Sequence, residues 1–250
     1  MVNFDIFDRQ LLLHNYNRYR GFFEDYNFLY LKCANIILEN IAIQNRDFNN
    51  IFEINSKSNL FKEFFAHKNF NSCIFEQIYD EELIDFGENK YDLVINNFDI
   101  HFINNVPKFF KIVKKSLKPK GLFIASFIGD ENLPELRKSM FYAENDIYKG
   151  LSNRLPPTID IKSSAQLLAN AGFKNPVADI EKIIINYDSP LKLLKDIKYS
   201  GQGNVMSSRS RKFFTKKLFK KLLEEYQKFY NSKLKSFPAT FNIITVSGEA

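Results

Sequence analysis

Two apolar runs, YDLVINN (Tyr91–Asn97) and GLFIASF (Gly121–Phe127), decide the fold, and an amphipathic stretch from Val106 to Leu117 lies between them. Short continuous apolar runs of this kind are typical of strands that are buried on both faces of a parallel sheet. The sequence KPKG at 118–121 follows the amphipathic stretch, and its proline and glycine end the helix and turn the chain back into the sheet. The pattern therefore predicts a strand–helix–strand crossover within an α/β fold.

The rest of the chain alternates between strand and helix patterns in the same way. Such alternation indicates a doubly wound sheet, mostly parallel and with helices on both faces, and neither a repeat nor a linker divides it. We expect one domain over 1–250, with an N-terminal helical segment 1–47, a core 48–187 and C-terminal helices with an antiparallel last strand over 188–250. The other strand candidates are Asn50–Ile54, Asn71–Ile78, Glu181–Tyr187 and Phe241–Ser247. The helix candidates are Phe22–Ile43, Ser58–His67, Asn132–Asn145, Ile161–Asn170, Pro190–Tyr199 and Arg211–Tyr230.

Length and composition are those of a globular protein with a buried core. The 250 residues are 45% hydrophobic and 26% charged, which is typical of folded chains. Cys33 and Cys73 stand alone in apolar surroundings, which favours buried reduced thiols over a disulfide or a metal site. The first residues, MVNFDIFDRQ, do not resemble a signal peptide, and no run approaches the roughly 20 apolar residues of a membrane span. We expect a cytoplasmic protein.

Much of the net charge of +6 lies in one segment, RSRKFFTKKLFKK (Arg209–Lys221). Apolar residues recur there at helical spacing with lysines on the other face, which predicts an amphipathic helix over 211–230. One interpretation is a solvated basic face, and the other is a contact surface for an anionic membrane, a protein partner or RNA. No nucleic-acid-binding motif accompanies the segment. We expect a protein partner and no nucleic acid, with a peripheral membrane contact through the basic helix 211–230 as an alternative.

No familiar catalytic motif stands out in the sequence. There is no H-E-x-x-H spacing for a metal, no G-x-S-x-G turn for a nucleophile and no G-x-x-x-x-G-K-[ST] phosphate loop. We therefore assign no catalytic residue and expect no metal.

Seven short segments, distributed along almost the whole chain, nevertheless match the motifs of one known family in the same order. With them, the chain resembles class I S-adenosylmethionine-dependent methyltransferases, in particular the methyltransferase-like family of the mitochondrial complex I assembly factor 5 and its bacterial relatives. These in turn are similar to the biotin-pathway malonyl-carrier-protein methyltransferase. The segments are IFDRQ (Ile6–Gln10), DEELIDF (Asp80–Phe86), NNFDIHFINNVP (Asn96–Pro107), IGDENLPELR (Ile128–Arg137), SNRLPP (Ser152–Pro157), SGQGN (Ser200–Asn204) and FPATFNIITVSG (Phe237–Gly248).

The resemblance implies a Rossmann-like methyltransferase fold with S-adenosylmethionine as the cofactor if the site is active. On the side that faces the acceptor in the related carboxyl methyltransferase, arginines would pair with an acidic or phosphate-bearing group. His101 is either a structural residue or a base, and Arg137 is equally consistent with a surface salt bridge. Arg154 is favoured because prolines hold its loop. The cofactor candidates are Glu53, Asn55, Asp80, Glu81, Asn96 and Asn97. The substrate or partner candidates are His101, Arg137, Arg154 and Asn204.

The segment IFEINSKSN (Ile51–Asn59) departs from the family pattern, because it retains the acidic Glu53 but lacks the glycine-rich turn that lets a backbone approach the cofactor. Asparagine tolerates left-handed dihedrals, so the turn itself can survive. The side chains narrow the approach, and Lys57 repels a sulfonium cation. We therefore expect the turn Asn55–Asn59 to lie beside a cofactor space that is narrowed or open to solvent.

Spacing supports the same conclusion. Only the 35 residues 56–90 lie between Asn55 and Tyr91, which is too few for the family's full set of strands and helices. The resemblance makes NSCIFEQI (Asn71–Ile78) the third strand, so that the second strand and its ribose-binding acid are missing. If NSCIFEQI is the second strand instead, Glu76 could replace that acid.

These observations lead to two functional hypotheses. The first is a pseudo-methyltransferase with a degenerate cofactor site and no bound cofactor, acting as a binding or assembly factor, for example for respiratory complex I. The alternative is an active S-adenosylmethionine-dependent enzyme, either a methyltransferase or a protein-arginine hydroxylase. Cofactor binding distinguishes the two.

Overall fold

The computed structural model describes residues 5–74, 84–211 and 213–250. The chain forms two compact units. The first comprises 1–26, 131–158 and 182–242, and the second comprises 27–130, 159–181 and 243–250. The expectation of one domain over 1–250, with its divisions near 47 and 187, stays a prediction.

The strands in the described parts of the chain form one six-stranded sheet. They are β1 (Asn50–Ile54), β2 (Asn69–Ser72), β3 (Tyr91–Asn97), β4 (Leu117–Ile128), β5 (Lys174–Tyr187) and β6 (Phe237–Glu249). The order across the sheet is β2-β1-β3-β4-β6-β5. From β2 to β4 the neighbours are parallel, and β6 runs antiparallel to β4. The predicted mostly parallel sheet with an antiparallel last strand is therefore confirmed.

Helices connect and flank these strands. They are α1 (Arg9–Tyr19), α2 (Phe23–Tyr26), α3 (Phe28–Ala42), α4 (Leu60–Phe64), α5 (Val106–Ser116), α6 (Pro134–Tyr148), α7 (Ile161–Asn170), α8 (Pro190–Tyr199) and α9 (Lys216–Tyr226). The helix predicted over 211–230 is shorter than expected, because Thr215 caps it by accepting a hydrogen bond from the Leu218 amide at 3.2 Å. Within 5–74, 84–211 and 213–250, none of the helices has the length and apolar character needed to cross a bilayer.

The predicted crossover between β3 and β4 is confirmed, with α5 as its helix. Asn105 caps α5 by accepting a hydrogen bond from the Lys108 amide at 3.0 Å. The helix buries Phe109, Phe110 and Val113. Burial of each of these side chains stabilises the fold by about 1.5–3 kcal/mol.

The KPKG segment does not form a turn before the strand, as the sequence suggested, but lies inside β4. Lys120 has a left-handed φ of 67°, and the register against β3 shifts between Tyr91 and Leu93. A Cβ on Gly121 would lie 3.0 Å from the Tyr91 carbonyl oxygen. Glycine is therefore required here because a neighbouring backbone approaches too closely for a side chain.

The second unit has helices on both faces of its strands. On one face Ile37 of α3 packs in a cluster with residues of β1 and β3 that include Ile51 and Leu93. On the other face Phe109 of α5 packs in a cluster that includes Val94 of β3. Leu93 and Val94 are consecutive and point to opposite faces, so the continuous apolar pattern of β3 follows from burial on both sides.

The strand next to β1 differs from the prediction. β2 begins at Asn69 and ends at Ser72, and it pairs with β1 directly. It therefore occupies the position beside β1 in the sheet. Only the first two residues of NSCIFEQI belong to β2, and 75–78 lie outside the described residues, so which family strand this segment represents stays a prediction. Ser72 lies opposite Glu53 in the ladder. No acid follows up to residue 74, and Glu76 lies outside the described residues.

Candidate functional site

The carboxyl ends of β1 and β3 meet at one edge of the sheet because the two strands are parallel neighbours. We call the region formed by 53–59, 96–99 and Tyr30 the carboxyl edge. Asp80 and Glu81 lie outside the described residues. The other residues predicted to bind a cofactor come together at this edge and are all buried: Glu53, Asn55, Asn96 and Asn97. Their role in binding stays a prediction.

The turn after β1 survives without glycine. Asn55 adopts a left-handed φ of 57°, a conformation that asparagine tolerates better than most residues. The Ser56 amide donates to the Cys73 carbonyl at 2.8 Å, and the Cys73 amide donates to the Glu53 carbonyl at 3.1 Å. These bonds attach the turn to the end of β2.

Lys57 points back into the carboxyl edge and forms an ion pair with Asp99. The Lys57 Nζ lies 2.6 Å from Asp99 Oδ1, and the two side chains are only 11% and 13% exposed. The ammonium also lies 5.9 Å from the centre of the Tyr30 ring. Burial raises the pKa of Asp99, while Lys57 acts in the opposite direction. Lys57 therefore already has an internal acid as its partner.

Glu53 is held inside the edge by a hydrogen bond from the Tyr30 hydroxyl at 3.1 Å. Burial raises the pKa of Glu53 to about 7, so its carboxyl group is partly protonated at neutral pH. Burial also raises the pKa of Tyr30, which keeps that hydroxyl a hydrogen-bond donor. The Asn97 side chain donates to the Tyr30 carbonyl at 3.0 Å. Helix α3 is thus tied to the ends of both strands.

Several buried side-chain oxygens at the carboxyl edge accept no hydrogen bond from any described residue. A buried acceptor without a donor costs about 1–3 kcal/mol, so native structures rarely leave several together. Such a group of acceptors is typical of a binding site and not of a core. The oxygens are Glu53 Oε2, Asn55 Oδ1, Asn96 Oδ1, Asn97 Oδ1 and Asp99 Oδ2.

Tyr30 and Asp99 were missed as site residues by the sequence analysis. Asp99 lies two residues beyond the end of β3, a position at which it could have been found. Tyr30 gives no local signal, because its contact with Glu53 spans 23 residues of sequence.

His101 lies just beyond the carboxyl edge and is buried. Its ring contacts those of Phe98 and Phe102, with centroids 5.2 and 4.4 Å away. Its Nδ1 accepts a hydrogen bond from the Ile128 amide at 3.4 Å. These contacts support the structural interpretation of His101, and a role in partner binding stays a prediction.

Arg137 and Asn204 lie in the first unit and contact backbone carbonyl groups. Arg137 donates to the Asn132 carbonyl at 2.8 Å and to the Pro156 carbonyl at 3.0 Å. Asn204 donates to the Asn153 carbonyl at 2.9 Å. Both side chains therefore support the loop that contains 152–157.

Arg154, one of the substrate or partner candidates, forms an ion pair within the first unit. Its Nε lies 2.5 Å from Glu144 Oε1, and the side chains are 12% and 2% exposed. Its guanidinium carbon also lies 5.4 Å from the centre of the Phe214 ring. Replacing Arg154 would leave Glu144 buried without its partner, so we expect a loss of stability. A role of Arg154 in partner binding stays a prediction.

The sheet order and the polar turn at the carboxyl edge define a Rossmann-like α/β protein of the methyltransferase class. A family model described as a methyltransferase domain matches residues 41–125. This match includes β1, β3, α5 and all of the carboxyl edge except Tyr30.

The chain belongs to a methyltransferase-like family that includes "Putative methyltransferase RP459" of Rickettsia prowazekii. The two are 34% identical over 169 residues, which cover 66% of this chain and 74% of that protein. "Arginine-hydroxylase NDUFAF5, mitochondrial" of Dictyostelium discoideum is 33% identical over 68% of this chain and 39% of its own length. The human protein of that name is 30% identical, and the match covers 68% of this chain and 49% of the human protein.

A malonyl-[acyl-carrier protein] O-methyltransferase of Gallionella capsiferriformans is 29% identical over 66% of this chain and 54% of its own. The crystal structure of YcgJ from Bacillus subtilis is 11% identical, with a TM-score of 0.49, and the match covers 82% of this chain and 92% of that one.

Proposed function

We propose that this chain is a methyltransferase-family protein with a degenerate S-adenosylmethionine site, which acts as a binding or assembly factor and not by methyl transfer. The observation that supports this most directly is the Lys57–Asp99 ion pair at the carboxyl edge. The resemblance to the complex I assembly factor 5 family suggests respiratory complex I as the assembly that it serves.

The side chains of the carboxyl edge do not fit S-adenosylmethionine in the way that the family turn requires. Glycines in such a turn let the backbone approach the ligand closely. Here residues with side chains occupy Asn55–Asn59, and the Lys57 ammonium lies inside the edge, 2.6 Å from Asp99. A fixed cation at this position repels the sulfonium and ammonium groups of the cofactor.

A ligand that occupies the position of the Lys57–Asp99 ion pair would have to separate the two side chains, and this cost would lower its binding affinity. Breaking a buried ion pair costs about 3–5 kcal/mol, because each charge loses its compensation. At 1.4 kcal/mol for each factor of ten, this lowers affinity by about two to three and a half orders of magnitude. A ligand of micromolar affinity would then bind with a dissociation constant between about 0.1 mM and a few millimolar.

The unpaired oxygens of the carboxyl edge favour a second candidate function. They could accept hydrogen bonds from a donor-bearing ligand, which would relieve the cost of leaving them unpaired. In this alternative, the chain is an active S-adenosylmethionine-dependent enzyme, either a methyltransferase or a protein-arginine hydroxylase, as the names of its relatives suggest. Glu53 would then be needed for cofactor binding.

Titration calorimetry with S-adenosylmethionine, which carries the sulfonium, and with S-adenosylhomocysteine, which does not, tests the proposal. We expect no saturable binding by the unaltered chain. The Lys57→Ala variant should bind these ligands measurably, because the substitution removes the internal cation and leaves the Asp99 carboxylate free to accept hydrogen bonds from them. The matched control is Lys62→Ala, which removes an exposed lysine of α4 and should not bind.

Thermal unfolding of each variant shows whether the fold is intact before binding is compared. Stoichiometric micromolar binding by the unaltered chain, lost in Glu53→Gln, would establish the enzyme alternative and contradict the proposed function.

A further inference from the structure

We infer that the loop before α9 docks this protein on an anionic phospholipid surface, a function that goes beyond the proposed one. We call the residues concerned the Phe213 surface. They lie in the first unit: Leu151, Arg211, Phe213, Phe214, Lys216 and Lys217.

The first observation is the exposure of large apolar side chains at this surface. Phe213 is 90% exposed, and Leu151 is 59% exposed. Leu151 and Arg211 line the same open groove of about 560 Å³, and the ring of Phe214 lies 5.4 Å from the Arg154 guanidinium carbon. The two loops are therefore adjacent, and a cluster of apolar side chains in water marks an interaction surface.

The second observation is that the cations of the Phe213 surface have no acidic partner among the described residues; Lys212, which adjoins Phe213, lies outside them. From Asn204 to Leu223 the sequence contains no acidic residue. Of the cations in this stretch, Lys221 pairs with Asp146, and Arg209 pairs with Asp8. The cations of the Phe213 surface are all exposed and make no ion pair with any described residue: Arg211, Lys216 and Lys217.

The structure also shows which part of this segment is available to a membrane. Leu218, Leu222 and Tyr226 of α9 are buried inside the first unit, so the apolar face of the helix is not free. The expected membrane contact through the basic helix 211–230 stays a prediction, and the buried face of α9 cannot supply its apolar part. The available apolar group is the protruding Phe213, and the exposed lysines of α9 follow it directly.

A lipid surface fits this combination better than a folded partner does. A protruding aromatic side chain can enter the interfacial region of a bilayer without a preformed pocket, because that region accommodates aromatic rings. Lysine and arginine around it then contact anionic headgroups, each adding to the attraction. An acidic protein would satisfy the lysines, but it would have to provide a matching cavity for Phe213.

The chain contains no tryptophan, so Phe213→Trp introduces a single fluorescent reporter at the tip of the surface. We expect its emission to shift to shorter wavelength with vesicles of phosphatidylcholine and phosphatidylglycerol, and not with phosphatidylcholine alone. Ile43→Trp is the matched control, since Ile43 is also exposed but lies in the second unit. Its emission should not change.

Replacing Lys216 and Lys217 tests the electrostatic contribution to vesicle binding. In the Phe213→Trp background, Lys216→Gln and Lys217→Gln should each reduce vesicle affinity by about fivefold. Lys111→Gln and Lys114→Gln, on α5 in the second unit, should leave it unchanged. Added salt should weaken binding of the unaltered surface.

Absence of a shift with anionic vesicles would overturn the inference, and so would an equal shift with neutral vesicles. An equal effect of the α5 lysine substitutions would also overturn it. None of these outcomes depends on cofactor binding, so the inference can fail while the proposed function stands.

Discussion

At the residue scale, the carboxyl edge is a set of charged and polar side chains that satisfy one another only in part. Lys57 pairs with Asp99, Tyr30 donates to Glu53, and several neighbouring oxygens have no donor among the described residues. Glu53 and Asn55 could be predicted because the resemblance places the family's acidic position and turn at the end of the first strand. The sequence could not predict their partners, since the Lys57–Asp99 contact joins residues 42 positions apart.

The buried carboxyl of Glu53 predicts that stability falls as the pH rises from about 5 to about 7. The folded state raises its pKa from 4.5 to about 7. Between these values the folded chain therefore holds a proton that the unfolded chain has released. Ionising this group then removes up to about 3 kcal/mol of stability. Glu53→Gln should flatten this part of the curve, as measured by unfolding in guanidinium chloride across the pH range.

The control for this experiment is Glu63→Gln, on the exposed side of α4. It should leave the pH dependence unchanged. Burial also raises the pKa of Asp99, so the informative quantity is the difference between the unaltered chain and Glu53→Gln. Equal slopes for these two would mean that Glu53 does not titrate in this range.

At the scale of elements, the apolar pattern of the sequence was sufficient to locate each strand that is buried on both faces. It located β3 and α5 closely, and it found the last strand β6, although that strand begins four residues before the predicted Phe241. The pattern did not predict β2, because three of its four residues NFNS are polar and the strand is mostly exposed. Only pairing with β1 identifies this segment as a strand, and pairing between distant segments is not visible in local periodicity.

The loop after α6 depends on one buried ion pair. Glu144 of α6 accepts from Arg154 at 2.5 Å and from the Ser152 amide at 2.9 Å. Arg154→Ala should therefore lower the free energy of unfolding by about 3–5 kcal/mol, because it leaves a buried carboxylate unpaired. Chemical denaturation measures this change.

The double variant Arg154→Met/Glu144→Gln removes both charges and should recover much of the loss. Lys149→Ala, an exposed cation at the end of α6, should change stability by no more than about 0.5 kcal/mol. A change in Arg154→Ala as small as that of Lys149→Ala would mean that the ion pair does not hold this loop.

At the scale of the whole molecule, the fold could be predicted from alternating patterns and from the resemblance, whereas the state of the site could not. The missing glycines predicted a degenerate cofactor site. The sequence did not show that Lys57, in the turn after β1, forms an ion pair with Asp99. The same holds for the surface. The sequence shows that the segment 209–221 is basic, but it does not show that Phe213 is exposed. A cytoplasmic location stays a prediction.

Hydrogen exchange of the whole chain, with and without excess S-adenosylhomocysteine, shows directly whether the carboxyl edge admits the ligand. If Lys57 and Asp99 close the carboxyl edge, the backbone amides of 53–60 and 93–99 will exchange at the same rates in both conditions. In Lys57→Ala the ligand should slow exchange in these two segments. Slower exchange of both segments in the unaltered chain, with the rest of the chain unchanged, would contradict the account.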